Sequence, residues 1–189
     1  QLAWFHALFG RMKEAIEEHK RAKELDPFNP NMTAWLGELY RWERRYEEAT
    51  AEALKSIEMA PKFPDGHFVL GFVHQDQGRY DQAIAAIQKA AQADPAWRWA
   101  LGPIYVAAGR SDEARKLLAE LNRQKVIPWT AFWRVPIYAA LGENDEAFRW
   151  MNYKHQHADI PWIRVIPGWG LEGLRKDPRF ADQLRRMNL

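Results

Sequence analysis

At 189 residues, with 47% apolar and 28% charged side chains, the chain has an ordinary soluble composition and room for one domain or two. A formal charge of +2 is too small to argue for nucleic acid or an anionic membrane as a partner. The absence of cysteine excludes disulfides, zinc–thiolate centres and thiol catalysis. It also leaves the compartment open: the cytoplasm is the default expectation, with the periplasm as the alternative. No apolar run approaches the roughly 18 residues expected of a membrane span.

The opening stretch QLAWFHALFG has neither a basic lead nor a small-residue cleavage site, so it does not read as a signal peptide. Leu2-Ala3 aligns with Leu36-Gly37 and Leu70-Gly71, and the stretch reads as the remainder of a helix. The expectation is a chain that is the C-terminal piece of a longer protein or that has lost its start. Further along, Pro64–Trp97 reads as two amphipathic helices joined by Gln77-Gly78-Arg79. Sliding this unit by 34 residues toward the N-terminus lays Gly71 on Gly37, Tyr80 on Tyr46, Ala83 on Ala49 and Pro95 on Pro61. The alanines Ala15, Ala49, Ala83, Ala114 and Ala147 extend the register with gaps of 34, 34, 31 and 33, which defines five units. Pro27, Pro61 and Pro95 close successive units. Gly10, Gly78, Gly109 and Gly142 mark the turns, where a left-handed residue must end the first helix, and Arg44 stands at that place in the second unit. Acidic residues follow each turn, as in Glu47-Glu48, Asp81, Asp112-Glu113 and Asp145-Glu146, where a helix N-terminus favours them.

These residues carry a resemblance to the tetratricopeptide repeat. In the second unit the family positions read Leu36, Gly37, Tyr40, Ala49, Ser56 and Pro61; in the third, Leu70, Gly71, His74, Ala83, Ala90 and Pro95. Small residues at 37, 49 and 56 let three helices approach while Leu36 and Tyr40 fill the space between them. The resemblance implies an all-α, right-handed α-solenoid of about five helix-turn-helix units over residues 1–157, with residues 158–189 as a capping C-terminal tail. The later units depart from the pattern: Leu121 and Lys154 replace small residues and Val135 replaces glycine. Pro103 and Pro136 fall inside the first helices of these units, where each removes a helical hydrogen bond and should kink the helix.

The tail opens with prolines and glycines, so an irregular first part is expected. Asp177-Pro178 then supplies an N-cap and a first-turn proline, with Phe180, Leu184 and Met187 on one helix face. The ending LRKDPRFADQLRRMNL is similar to the C-termini of bacterial signalling proteins that carry tetratricopeptide repeats beside winged-helix, nucleotide cyclase or serine/threonine kinase domains. That likeness implies an accessory or sensory array whose effector domain lies upstream.

The chain contains no G-x-S-x-G, no glycine-rich phosphate loop and no H-E-x-x-H. His67 and His74 are seven residues, or about 10 Å, apart along one helix, too far to share a metal without other ligands. His155 and His157 close the fifth unit and do not face one way. No metal, cofactor or catalytic residue is therefore assigned. What the resemblance implies instead is a concave face built by the first helix of each unit. It carries Trp4, then Ala34, Trp35, Glu38, Arg41 and Trp42, then Phe68, Phe72, Gln75 and Asp76. Trp99, Pro103, Trp129, Phe132, Trp133 and Pro136 continue it. This face is aromatic and lacks the lysine–asparagine clamp by which some family members hold a terminal carboxylate. The expected role is a noncatalytic scaffold or adaptor that takes an apolar or amphipathic segment of a protein partner. The alternative occupant is the chain's own tail, through Ile160, Trp162, Ile166 and Trp169, and self-association is a further possibility.

Overall fold

The computed structural model describes residues 6–7, 10–125, 128–155 and 171–186. It is all-α, with no strand among the described residues. The chain divides into two compact units, Gln1–Arg98 and Trp99–Leu189.

In the N-terminal unit, α1 (Met12–Leu25) is followed by two complete hairpins, α2 (Pro30–Trp42) with α3 (Tyr46–Met59), and α4 (Pro64–Asp76) with α5 (Tyr80–Ala93). Pro30 and Pro64 each begin a first helix, where a missing N–H costs nothing. Asn29 caps α2 by accepting the Met32 N–H at 3.1 Å. Successive helices pack as antiparallel neighbours, and α2 also packs on α4. The small residues set that approach. A Cβ on Gly37 would lie 3.0 Å from the Ala49 carbonyl and 3.4 Å from Val69. Ala15, Ala49 and Ala83 are fully buried, and the Ser56 hydroxyl donates to the Pro30 carbonyl at 2.8 Å. Leu36 and Tyr40 fill the space between, as the repeat positions imply.

The turn between helices of a pair is the same in both hairpins: Gly78 has φ of 73° and Arg44 has φ of 60°. A side chain in that conformation is strained by roughly 1–2 kcal/mol. Arg44→Gly is therefore expected to stabilise the protein, by about 0.5–1 kcal/mol once the larger chain entropy of unfolded glycine is subtracted. A urea midpoint that stays level or falls would contradict this.

In the C-terminal unit the two prolines act differently from a simple kink. A 3₁₀ turn, Pro95–Ala100, leads into α6 (Leu101–Ala107), which pairs with α7 (Ser111–Arg123). The short α8 (Pro128–Ala131) and a 3₁₀ turn, Phe132–Arg134, lead into α9 (Val135–Ala140), which pairs with α10 (Asn144–His155). Pro103 and Pro136 thus fall in the first turn of a restarted α-helix, and the preceding turn tightens to 3₁₀ geometry. Restarting puts the absent N–H among the groups that have no helical partner anyway. Gly102 lets α6 approach α9 so closely that a Cβ would meet Ile137 at 2.5 Å.

Two further helices, α11 (Glu172–Arg175) and α12 (Pro178–Arg186), follow; α11 packs on α9 and α10, and Leu171 and Leu174 are fully buried. Asp177 caps α12 by accepting the Arg179 N–H, and the Arg179 guanidinium holds its carboxyl down to about 2. Phe180 is buried, Gln183 donates to Asn152, and Arg179 reaches Asp145 while lying 4.5 Å over the Phe148 ring.

Candidate functional site: the first-helix face of the N-terminal unit

Helix α2 projects Trp35, Glu38 and Trp42 at i, i+3 and i+7, and α4 projects Phe68, Phe72 and Gln75 at i, i+4 and i+7. That spacing places each set on one helical face, and the two helices are in contact. At the centre lies an ion pair. Arg41 donates from Nε and Nη2 to the two oxygens of Glu38 at 2.9 and 2.7 Å, and from Nη1 to Asp76 at 2.7 Å. Glu38 is fully buried and Arg41 is 2% exposed. Burial alone would lower the Arg41 pKa, but the Glu38 and Asp76 carboxylates overcome that and raise it. The guanidinium also lies 5.3 Å over the Phe72 ring, and the Trp42 indole N–H donates to Glu38 at 2.9 Å.

Beside this pair the aromatics stack. Phe68 and Phe72 meet edge-on at 4.9 Å, Phe68 lies 4.4 Å from Trp97, and Trp35 lies 6.2 Å from Phe68. Phe68 and Phe72 are wholly buried, forming a floor, while Trp35, Trp42 and Gln75 are half-buried above it. The Trp35 indole N–H donates to Asp65 at 3.1 Å, so both half-buried indoles are held by carboxylates. Gln75 Oε1 and His74 Nδ1 are buried polar atoms without a hydrogen-bond partner.

The other sequence-derived positions lie in the C-terminal unit or outside the described residues. Trp99 and Phe132 are buried and face each other edge-on at 6.4 Å, and Trp133 is half-buried. Trp4 and the Ile160, Trp162, Ile166 and Trp169 segment lie outside the described residues, as does the side chain of Trp129. No group of three or more histidine, aspartate or glutamate side chains among the described residues could hold a metal, and no described helix is long and apolar enough to cross a membrane.

Two residues escaped the sequence reading. Arg134, 1% exposed, donates to Asn122 Oδ1 at 2.9 Å, to the Thr130 carbonyl at 2.7 Å and to the Leu121 carbonyl. It sits 4.6 Å over Trp150, and burial lowers its pKa. It thus ties the end of α7 to α8. Asp65 accepts from Asn31 at 2.5 Å as well as from Trp35. Its signal was present: Asp65 and Asn31 are the same repeat position, 34 residues apart.

His19, His67 and His74 all belong to this unit, and burial lowers the pKa of each below the ordinary 6.5. His19 is 7% exposed and donates from Nε2 to the Met32 carbonyl at 2.9 Å. A lowered histidine binds its proton more readily unfolded than folded, so this contribution is complete above about pH 6.5 and is lost as pH falls through the range below. The urea midpoint is expected to drop between pH 7.5 and 5.5, and His19→Gln should flatten that slope. An unchanged slope would contradict it.

The tetratricopeptide repeat family model matches residues 74–126. Among solved structures, a thermophilic TPR protein of Thermus thermophilus is 20% identical, covering 99% of this chain and 94% of its own, with a TM-score of 0.65. The pilF product of Pseudomonas aeruginosa is 18% identical over 99% of this chain and 89% of its own, TM-score 0.57. A tetratricopeptide repeat protein of Parabacteroides merdae is 14% identical over 99% and 75%, TM-score 0.56. The comparison with curated proteins gives no match. The family model matches residues 74–126, and the described residues have the fold of these tetratricopeptide repeat structures.

Proposed function

We propose that this protein is a noncatalytic interaction module that receives a segment of a protein partner on the α2–α4 face of its N-terminal unit. The observation that supports this most is Gln75 Oε1, a buried acceptor with no partner on the face where Trp35 and Trp42 remain half-buried. Unpaired buried acceptors are rare and cost about 1–3 kcal/mol, so little is lost when the half-buried Gln75 side chain turns its amide outward to a backbone N–H of a bound segment. Indoles whose N–H groups are already fixed by Asp65 and Glu38 present apolar faces in a set orientation, which lowers the ordering cost of binding. Phe68 and Phe72 support that surface from beneath, and Trp99, Phe132 and Trp133 offer an aromatic set of the same kind in the C-terminal unit.

Quantitative affinity capture tests the reading, comparing wild type with Gln75→Ala and Trp42→Phe, two changes that leave the Glu38–Arg41 pair in place. A specific interactor should fall several-fold with both variants while their circular dichroism is unchanged. Equal recovery with wild type and both variants would sink it.

A further inference from the structure

The α2–α4 face ends in a corner whose charge is uncompensated. Asp65, in the first turn of α4, is only 4% exposed, and both of its hydrogen bonds fall on Oδ2. No basic side chain among the described residues pairs with it. Asp94 is close enough that its charge adds to burial in raising the Asp65 pKa, and Asp94 itself only accepts the Ala96 N–H at 2.9 Å. Two carboxylates without a cation therefore stand beside the rings of Trp35, Phe68 and Trp97, which follow one another at 6.2 and 4.4 Å. Burial opposes the charge on Asp65, while the Asn31 and Trp35 donors and the N-terminus of α4 favour it, and no ionic partner among the described residues shares it. Carboxylate and indole faces together are what a cationic side chain recognises: Coulombic pairing at one end, cation–π and stem packing along the other.

We propose that the Asp65 corner is a cation-accepting subsite that takes a lysine or arginine side chain of the partner segment, its charged head on Asp65 Oδ1 and its stem along Trp35 and Trp97. This deepens the interaction reading above and rests on it: the segment that lies on the α2–α4 face carries a basic residue at the end nearest α4's first turn.

The test uses the indole N–H resonances of Trp35 and Trp97 in the full chain, titrated with Nα-acetyl-lysine amide, Nα-acetyl-arginine amide and, as the uncharged control, Nα-acetyl-norleucine amide. The two cations should shift both resonances saturably and the norleucine compound should not. Asp65→Asn keeps an acceptor for Asn31 and Trp35, so the fold should hold while cation affinity drops about tenfold; Asp94→Asn, further from the subsite, should weaken it less. Equal shifts from norleucine, or affinities unchanged in both variants, would overturn the subsite. A captured partner that depends on Gln75 but is indifferent to Asp65→Asn would also overturn it, and would leave the interaction reading standing.

Discussion

Replacing Arg41 with methionine is expected to cost about 3–5 kcal/mol, because it strands the fully buried Glu38 carboxylate without its cation. Glu38→Gln should also destabilise, by less, since the amide still accepts one guanidinium hydrogen bond. The double change Glu38→Leu/Arg41→Met should recover most of the loss, since two apolar side chains remove the uncompensated charge altogether. Asp76 can then turn to water, as its side chain is 22% exposed. Urea unfolding followed by tryptophan fluorescence reads all three. If the single and double changes cost the same, the pair contributes packing rather than electrostatics. The separate Arg41–Asp76 bond joins α2 to α4 between residues 35 apart.

The second large effect is expected at Arg134. Arg134→Ala leaves the Leu121 and Thr130 carbonyls and the Asn122 amide without their donor, and should cost about 2–4 kcal/mol. Arg134→Lys should recover less than half, because one ammonium cannot reach three acceptors spread over two helices or lie flat over Trp150. Full rescue by lysine would mean that charge alone matters there. The same urea series resolves it.

How much of this was legible in sequence follows from which contacts are local. The register of Ala15, Ala49 and Ala83, the close approach at Gly37 and the left-handed Arg44 were all readable, because a helical repeat fixes the backbone environment at each position and only certain residues fit. The acidic first turns were readable for the same reason. The spacing put Glu38 and Arg41 beside each other on the first helix of their unit, but their depth was not visible. An i, i+3 pair of opposite charges is usually solvated, as Arg45 with Glu48 is in this chain. Phe72 and Asp76, supplied by the next repeat, help turn the first pair into a buried one. Phe68 and Phe72 share that history: their helical spacing gave the face, and the neighbouring Trp35 and Trp97 decided that they form its floor. At Pro103 and Pro136 the sequence alone is compatible both with a helix that bends through the proline and with one that restarts at it. The tightened 3₁₀ turns before each decided for restarting.

Whether partners lie on the α2–α4 face is read by site-specific photo-cross-linking in the native cell. A photoreactive residue at Gln75 is compared with one at Glu47, which is exposed in the first turn of α3. A discrete adduct is expected at position 75, displaced by excess unlabelled protein, and none at position 47. Adducts at 47 alone, or of equal yield at both positions, would contradict it.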